Sequence, residues 1–139
     1  MSEPVVIERS YEVAPLTLFE AWTDVETLTT WWGCGVDQLW KVHVWDPRVG
    51  GEIHVSMSFD EGDYEVHGRF IEVVEPSLLV YDWENGQTVA VSIRPEGEGS
   101  VMTIEHRGLP ERAPDGTPLH EIVSAGWAVS VDNVRRAIG

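Results

Sequence analysis

Two residues in the second half of the chain carry side chains suited to proton transfer. His106 ends an apolar alternating run just before Gly108-Leu109-Pro110, and Tyr81 lies in an earlier run of the same kind. An imidazole or phenol inside an apolar pocket would orient a ligand or move a proton. We therefore treat His106 and Tyr81 as candidate catalytic groups of a cyclase or hydrolase. The alternative for His106 is a hydrogen bond to a neighbouring backbone group.

Three further histidines, His43, His54 and His67, alternate away from the apolar positions. The simplest strand pairing puts His43 across from His54, and Ser56 across from His67 on the same outer face. Imidazoles in this arrangement could bind zinc or copper. We expect no metal there, because this pairing puts no acidic or cysteine ligand beside them and exposed strand histidines are usually solvated.

Other catalytic motifs are missing from the sequence. Cys34 lies between Gly33 and Gly35 without a basic neighbour to activate it, so we expect an unreactive thiol. His120-Glu121 begins like a zinc-protease helix, but Ser124 stands where the second histidine would be. Neither a phosphate-binding Gly-rich loop ending in lysine nor a Gly-x-Ser-x-Gly motif occurs. We therefore expect no cofactor and favour binding over catalysis.

Aromatic and thioether side chains are the material of the predicted interior, and the chain has seven tryptophans. Such groups suit flat or irregular apolar ligands. Trp22 and Trp31, on short helices, are expected to anchor those helices to a sheet instead. The expected ligand-binding residues face the interior: Trp32, Trp40, Val55, Met57, Phe70, Tyr81, Trp83, Val91, Met102, Ile104, His106, Val123 and Trp127.

Gly126 precedes Trp127 inside a predicted helix. A glycine there costs about 1 kcal/mol relative to alanine. Either a close approach of the helix to the sheet or space for a ligand would offset this cost.

Composition limits the classes of partner. The chain has 139 residues, enough for a single domain spanning 1–139, and a formal net charge of -15. This charge repels nucleic acid and anionic membranes, so neither is an expected partner. A single cysteine, no long apolar stretch and no signal peptide favour a cytoplasmic protein.

The first third of the chain predicts a strand followed by two short helices. Val5 to Val13 alternates with period two, Pro15 begins a helix, and Thr23-Asp24 caps a second helix that runs to Trp31-Trp32. Near the C-terminus, Thr117 is the expected cap and Pro118 the first residue of a helix that runs to about Ile138. Its apolar stripe is Leu119, Val123, Trp127, Val131 and Val134.

Between Leu39 and Arg107 we predict six antiparallel strands joined by five hairpins, because turn residues interrupt the alternation at short intervals. Turns at Arg48-Val49, Glu61-Gly62 and Gly97-Glu98 each give neighbouring strands one apolar face. The predicted pairs are Val44–Ile53, Val42–Val55, Phe59–Tyr64, Met57–Val66, Val55–Gly68, Ile93–Met102, Val91–Ile104 and Val89–His106.

The Asn85-Gly86 turn does not fit this scheme as a two-residue loop. Tyr81 would then pair with Ala90 and leave the apolar face. A bulge near Ile71-Glu72 or a longer loop would restore the register. We therefore assign Leu79, Tyr81 and Trp83 to the inner face, and expect the last helix to pack on the sheet face that carries Val55, Met57, Val91, Met102 and Ile104.

The order of these elements resembles the helix-grip fold, an α+β fold in which a curved antiparallel sheet wraps around a long C-terminal helix. The chain is similar to the START-like (SRPBCC) superfamily, in the branch related to the activator of the heat-shock chaperone ATPase. Cys34 departs from the proline that relatives often carry after Trp-Trp-Gly. The resemblance rests on Arg9 with Ala14-Pro15, Ala21-Trp22-Thr23-Asp24, Trp31-Trp32-Gly33, Val49-Gly50-Gly51, Gly68 with Glu72, Leu79-Val80-Tyr81, and Gly126-Trp127.

The resemblance implies a hydrophobic cavity between the sheet and the last helix. Three functions then stay open: binding of a small apolar ligand such as a lipid or polyketide, which we favour; a cyclase or hydrolase; and a module that regulates a chaperone ATPase. Trp45, on the predicted outer face near His43 and His54, makes a homodimer plausible.

Overall fold

The computed structural model describes residues 3–33, 39–59, 62–113 and 116–138. Within these ranges, three α-helices and seven strands follow one another in the predicted order. The helices are α1 (Pro15–Thr23), α2 (Val25–Trp31) and α3 (Leu119–Ile138). The strands are β1 (Val5–Tyr11), β2 (Lys41–Trp45), β3 (Glu52–Phe59), β4 (Gly62–Val74), β5 (Leu78–Asp82), β6 (Thr88–Glu96) and β7 (Gly99–Arg107).

The strands form one antiparallel sheet in the order β1-β7-β6-β5-β4-β3-β2. Each strand from β2 to β7 pairs with its neighbour in sequence, and β1 closes the series against β7. The predicted α+β helix-grip fold is therefore confirmed. Among the described helices, none is long and apolar enough to cross a membrane.

The helices cover the inner face of this sheet in two parts. α1 lies over β6 and β7, while α3 runs beside β1 and contacts both short helices. The sheet residues expected under the last helix, Met102 among them, are buried. Trp22 of α1 contacts Met102 directly, so α1 shares with α3 the role that we had assigned to α3 alone.

The hairpin between β6 and β7 has the predicted register. Ile93 pairs with Met102, Val91 with Ile104, and Val89 with His106. Gly97 in the connecting turn has a φ of 59°, which L side chains rarely adopt. This hairpin places His106 on the inner face.

Both features suggested by the sequence, a bulge and a longer loop, occur around the Asn85-Gly86 turn. A register shift lies between Phe70 and Glu72 in β4, and a 3-10 turn over Glu84–Gly86 lengthens the loop. Tyr81 consequently pairs with Val89 and is buried. The inner-face assignment of Tyr81 is confirmed.

The predicted register between β3 and β4 is wrong by two residues. Met57 pairs with Tyr64 and Val55 with Val66, instead of Val66 and Gly68, and Phe59 pairs with Gly62. Apolar residues still share a face, because a shift of two preserves the alternation. On the outer face, however, His67 now lies across from His54, and Ser56 from Glu65. Part of the turn, Asp60 and Glu61, lies outside the described residues.

The predicted pairing of β2 with β3 is wrong in its second half, although Val42 does pair with Val55. A bulge at His43 brings Val44, rather than His43, opposite His54, and Trp45 opposite Ile53. Trp45 therefore turns inward and is only 7% exposed. Trp45 is therefore not the exposed residue from which we inferred a homodimer. Cys34 lies outside the described residues.

Candidate functional site

A cavity of about 140 Å³ lies between α3, the sheet and the segment that follows α2. Its walls are mostly aromatic and aliphatic. The lining residues are Trp32, Gly33, Trp40, Tyr81, Trp83, Val89, His106, Ile122, Val123, Gly126, Trp127 and Ser130. We call this group of residues the cavity wall.

Three indoles form one side of the cavity wall. The ring centroids of Trp32, Trp40 and Trp83 lie 5.6–5.7 Å from one another. Trp40 and Trp83 are only partly buried, whereas Trp32 is 3% exposed. Edge-on and tilted rings at these distances attract one another. The three indoles, which come from the segment between α2 and β2 and from the end of β5, therefore form one continuous aromatic wall.

His106 forms a polar part of the wall and is held from both ring nitrogens. The indole N–H of Trp127 donates to its Nδ1 at 3.0 Å, and its Nε2 lies 2.7 Å from Gln87 Oε1. Because Nδ1 accepts, Nε2 carries the proton and donates it to Gln87, which fixes a neutral imidazole. Burial lowers the pKa of His106 to about 4. Side chains, rather than the backbone group expected from the sequence, thus hold this histidine.

Tyr81 contributes a second titratable group, and its environment is different. The side chain is fully buried, and its hydroxyl is the buried polar atom that has no hydrogen-bond partner among the described residues. Burial raises the pKa of the phenol well above its usual value, so the group is a neutral hydroxyl at physiological pH. A buried hydroxyl without a partner costs about 1–3 kcal/mol. Tyr81, which carries this unfavourable free energy, is one of the residues that line the cavity.

Gly126 gives the cavity its space on the helix side. A Cβ built there would meet no described atom within 4 Å, apart from the backbone of its own helix and its chain neighbours. Close packing against the sheet therefore does not explain this helical glycine. Of the two explanations raised by the sequence, space beside the cavity is the one that the geometry favours.

The comparisons with known proteins agree with this architecture. Residues 12–139 match the family model of the Activator of Hsp90 ATPase homolog 1-like proteins. The chain belongs to this family. No curated protein matches it significantly.

Solved structures of low sequence identity share the family's fold. Protein CV1439 from Chromobacterium violaceum is 21% identical, with a TM-score of 0.85 over 99% of this chain and 98% of that one. An AHSA1-like protein from Aeromonas hydrophila is 24% identical, with a TM-score of 0.76 over 97% and 91% of the two chains. A protein from Arthrobacter aurescens is 17% identical, with a TM-score of 0.82 over 97% and 85%. Identities this low support the fold alone.

The structure of this family member divides the predicted ligand-binding residues into two groups. One group lies on the cavity wall: Trp32, Trp40, Tyr81, Trp83, His106, Val123 and Trp127. The other group is buried in the hydrophobic interior away from this wall: Val55, Met57, Phe70, Val91, Met102 and Ile104. The alternation of the strands and the apolar stripe of the last helix predicted that both groups face the interior, but neither pattern separates residues beside the cavity from residues packed around it.

The sequence analysis did not assign several residues of the cavity wall to the site. These are Gly33, Val89, Ile122, Gly126 and Ser130. Val89 was already paired with His106, and Ser130 lies one helical turn after Trp127, so helical spacing could have identified it. Gly33 follows the Trp31-Trp32 pair, and no signal in the sequence placed it near α3. Its backbone N–H donates to Ser130 Oγ at 3.2 Å.

Proposed function

We propose that this protein binds a small, flat, apolar molecule in the cavity, and that the molecule carries one hydrogen-bonding group. The observations that carry the proposal are the buried, unpartnered hydroxyl of Tyr81 and the place of this residue in the aromatic cavity wall. Pockets for small molecules are typically apolar, with few polar groups that fix orientation. A ligand oxygen or nitrogen would complete the hydrogen bonding of Tyr81, while the indoles contact the ring.

The cavity volume favours a single-ring compound over the lipid or polyketide that the resemblance implies. The volume of about 140 Å³ falls below the roughly 300 Å³ at which drug-sized pockets begin. An engineered protein cavity of about 150 Å³ holds benzene. Ligands of phenol size therefore match this space.

The electrostatics of the wall favour binding over proton transfer. A general acid or base works best with a pKa near the operating pH. Burial moves the pKa of His106 down to about 4 and raises that of Tyr81. Both ring nitrogens of His106 are also engaged, so a proton added at Nδ1 would break its bond with Trp127. A cyclase or hydrolase that uses these two groups gains no support from this geometry.

Phenol and toluene provide a direct test, because they are similar in size and only phenol can hydrogen bond to Tyr81. We expect both to bind with one-to-one stoichiometry and to shift the indole N–H signals of Trp127 and Trp83 in NMR spectra. Phenol should bind about fivefold more tightly, the effect of a hydrogen bond of about 1 kcal/mol. In Tyr81→Phe the preference for phenol should be lost, because the phenol hydroxyl would then be buried without its partner.

Tyr11→Phe is the matched control, since it removes a buried hydroxyl away from the cavity. Tyr11 donates to the carbonyl of Val131, and the phenol preference should survive its loss. If neither compound shifts the indole signals, the binding proposal is wrong. If both bind but Tyr81→Phe keeps the phenol preference, the role of Tyr81 is wrong.

Gly126→Ala tests whether the helix keeps space for a ligand at the expense of stability. Alanine should raise the free energy of unfolding by up to about 1 kcal/mol, because it fits helix geometry and meets open space. The added methyl would project into the cavity and weaken toluene binding severalfold. Urea denaturation and NMR titration measure the two effects. Increased stability with unchanged affinity would show that the glycine does not serve the ligand.

A further inference from the structure

The outer face of the sheet carries a cluster of possible metal ligands that is separate from the cavity. His54 of β3 and His67 of β4 are directly paired, and their rings stack with centroids 4.1 Å apart. Glu65 lies on the same face of β4, and its Oε1 is 2.7 Å from His54 Nε2. One ligand atom from each of these three residues lies within 4.8 Å of the others.

The corrected register creates this cluster. The pairing predicted from the sequence put Ser56 across from His67 and left the histidines without a carboxylate. The two-residue shift instead moves His67 beside His54 and brings Glu65 into contact with it. The objection to a metal site that followed from the sequence therefore no longer holds.

We propose that His54, Glu65 and His67 bind a divalent transition metal ion, with zinc as the natural test ion. Two imidazoles and one carboxylate are a common ligand set for such ions, and three protein ligands leave a further position for water. Ligand atoms around tetrahedral zinc lie roughly 3.3–3.5 Å apart, given zinc–ligand distances of about 2.0–2.1 Å. The more widely spaced ligand atoms must therefore approach one another by about 1 Å, while His54 Nε2 and Glu65 Oε1, which are 2.7 Å apart, must separate by somewhat less.

The exposure of two of the three side chains makes this change in spacing feasible. Glu65 and His67 are exposed, so their side chains can rotate at little cost, while the paired strands hold the backbone positions. His54 Nε2 now donates to Glu65, and a metal ion would take the place of this hydrogen-bonded proton between the same two atoms. The formal net charge of -15 also draws cations to the surface.

His43 lies beside the cluster without being one of its three ligands. The bulge in β2 leaves its ring 4.6 Å from that of His54, and its Nε2 is hydrogen bonded to Ser56 Oγ at 2.7 Å. A ligand set of three residues is therefore the arrangement that the geometry supports.

Isothermal titration of tag-free protein with zinc chloride tests the site. We expect one ion per chain, with binding weakened at least tenfold in Glu65→Gln and in His67→Gln, since even the loss of a residue that only orients a metal ligand costs ten- to a hundredfold. The substituted side chains are exposed, so the melting temperature should not change and unfolding would not explain the loss.

Two control variants separate a built site from general attraction of cations. Glu52→Gln removes the same charge from the same face of β3, and His120→Gln removes a histidine on α3; both should bind zinc like the unmodified chain. Phenol binding should also be unaffected, because the cluster is not part of the cavity wall. If each chain binds several zinc ions, or if all four variants lose zinc affinity equally, scattered surface groups hold the ion and the proposal is wrong. Absence of measurable zinc binding would also overturn it.

Discussion

Two groups of aromatic residues in the interior are built differently. In the first, which we call the closed core, Trp22, Trp31 and Trp45 each donate an indole N–H to an atom of the protein: Met102 Sδ at 3.2 Å, the Ala21 carbonyl at 3.0 Å and the Trp22 carbonyl at 2.8 Å. The second group is the cavity wall, where the Tyr81 hydroxyl has no described partner and Trp40 and Trp83 are partly exposed.

The difference shows in which part of the interior the protein's own side chains fill the space and pair the polar groups. In the closed core, burial and hydrogen bonding are satisfied together, so substitution there should lower stability and little else. On the cavity wall a polar atom is unsatisfied and space is open. Substitution on the wall should therefore cost less stability and act mainly on binding.

The largest difference is expected between Met102→Ala and Val123→Ala. Met102 is 1% exposed and accepts the Trp22 indole N–H, so its truncation leaves a cavity and an unpaired donor. The free energy of unfolding should fall by about 4 kcal/mol. Val123 is half-buried on the cavity wall, and alanine is a better helix former than valine. Val123→Ala should therefore lower the free energy of unfolding by less than about 1 kcal/mol. Equal losses in urea denaturation would mean that the wall is packed as tightly as the core.

His106 should give the cavity wall a dependence on pH that the closed core lacks. The folded-state pKa of about 4 lies below the value of about 6.5 expected for the unfolded chain. Between these values the unfolded chain binds a proton that the folded protein does not, so stability falls as the pH falls from 6.5 to 4. The loss is about 1.4 kcal/mol per pH unit and about 3 kcal/mol in total.

Urea denaturation of the unmodified chain and of His106→Gln at pH 7 and pH 4.5 isolates this contribution. Carboxylates titrate in both proteins, and the difference between their pH slopes belongs to His106. Identical slopes for His106→Gln and the unmodified chain would contradict a buried neutral imidazole.

The two buried tyrosines provide the smallest and most specific contrast. Tyr11 donates to the Val131 carbonyl at 2.8 Å, so Tyr11→Phe should lower the free energy of unfolding by about 1 kcal/mol. Tyr81→Phe removes a buried hydroxyl without a described partner and should therefore raise the free energy of unfolding by about 1 kcal/mol or more. Thermal melting of both variants without ligand measures the difference. A destabilised Tyr81→Phe would mean that its hydroxyl is already satisfied in the free protein.

Local rules in the sequence were enough for the elements and for one half of the sheet. Pro15 begins α1, Asp24 precedes α2, and the Gly97-Glu98 turn sets the register that brings His106 to the inner face. Each of these features depends on residues close together in the chain. A turn of defined length fixes the pairing on both sides of it.

The other half of the sheet shows where alternation stops being informative. A shift of two residues between β3 and β4 leaves every side chain on its predicted face, so the apolar pattern fits both registers equally well. The bulge at His43 has the opposite effect: it reverses the alternation and turns Trp45 inward. No local residue pattern in the sequence predicted this bulge.

The sequence by itself determined the fold, the family resemblance, the inner sheet face that carries Tyr81 and His106 and the helix stripe that carries Trp127, because periodicity and turn chemistry act over a few residues. Only the tertiary structure decided which inner-face residues surround a cavity, since packing between α1, α3 and the sheet closes the space around Met102 and leaves it open beside Gly126. It likewise decided that Glu65 meets His54, because a contact between strands depends on register, which alternation alone leaves ambiguous by two residues.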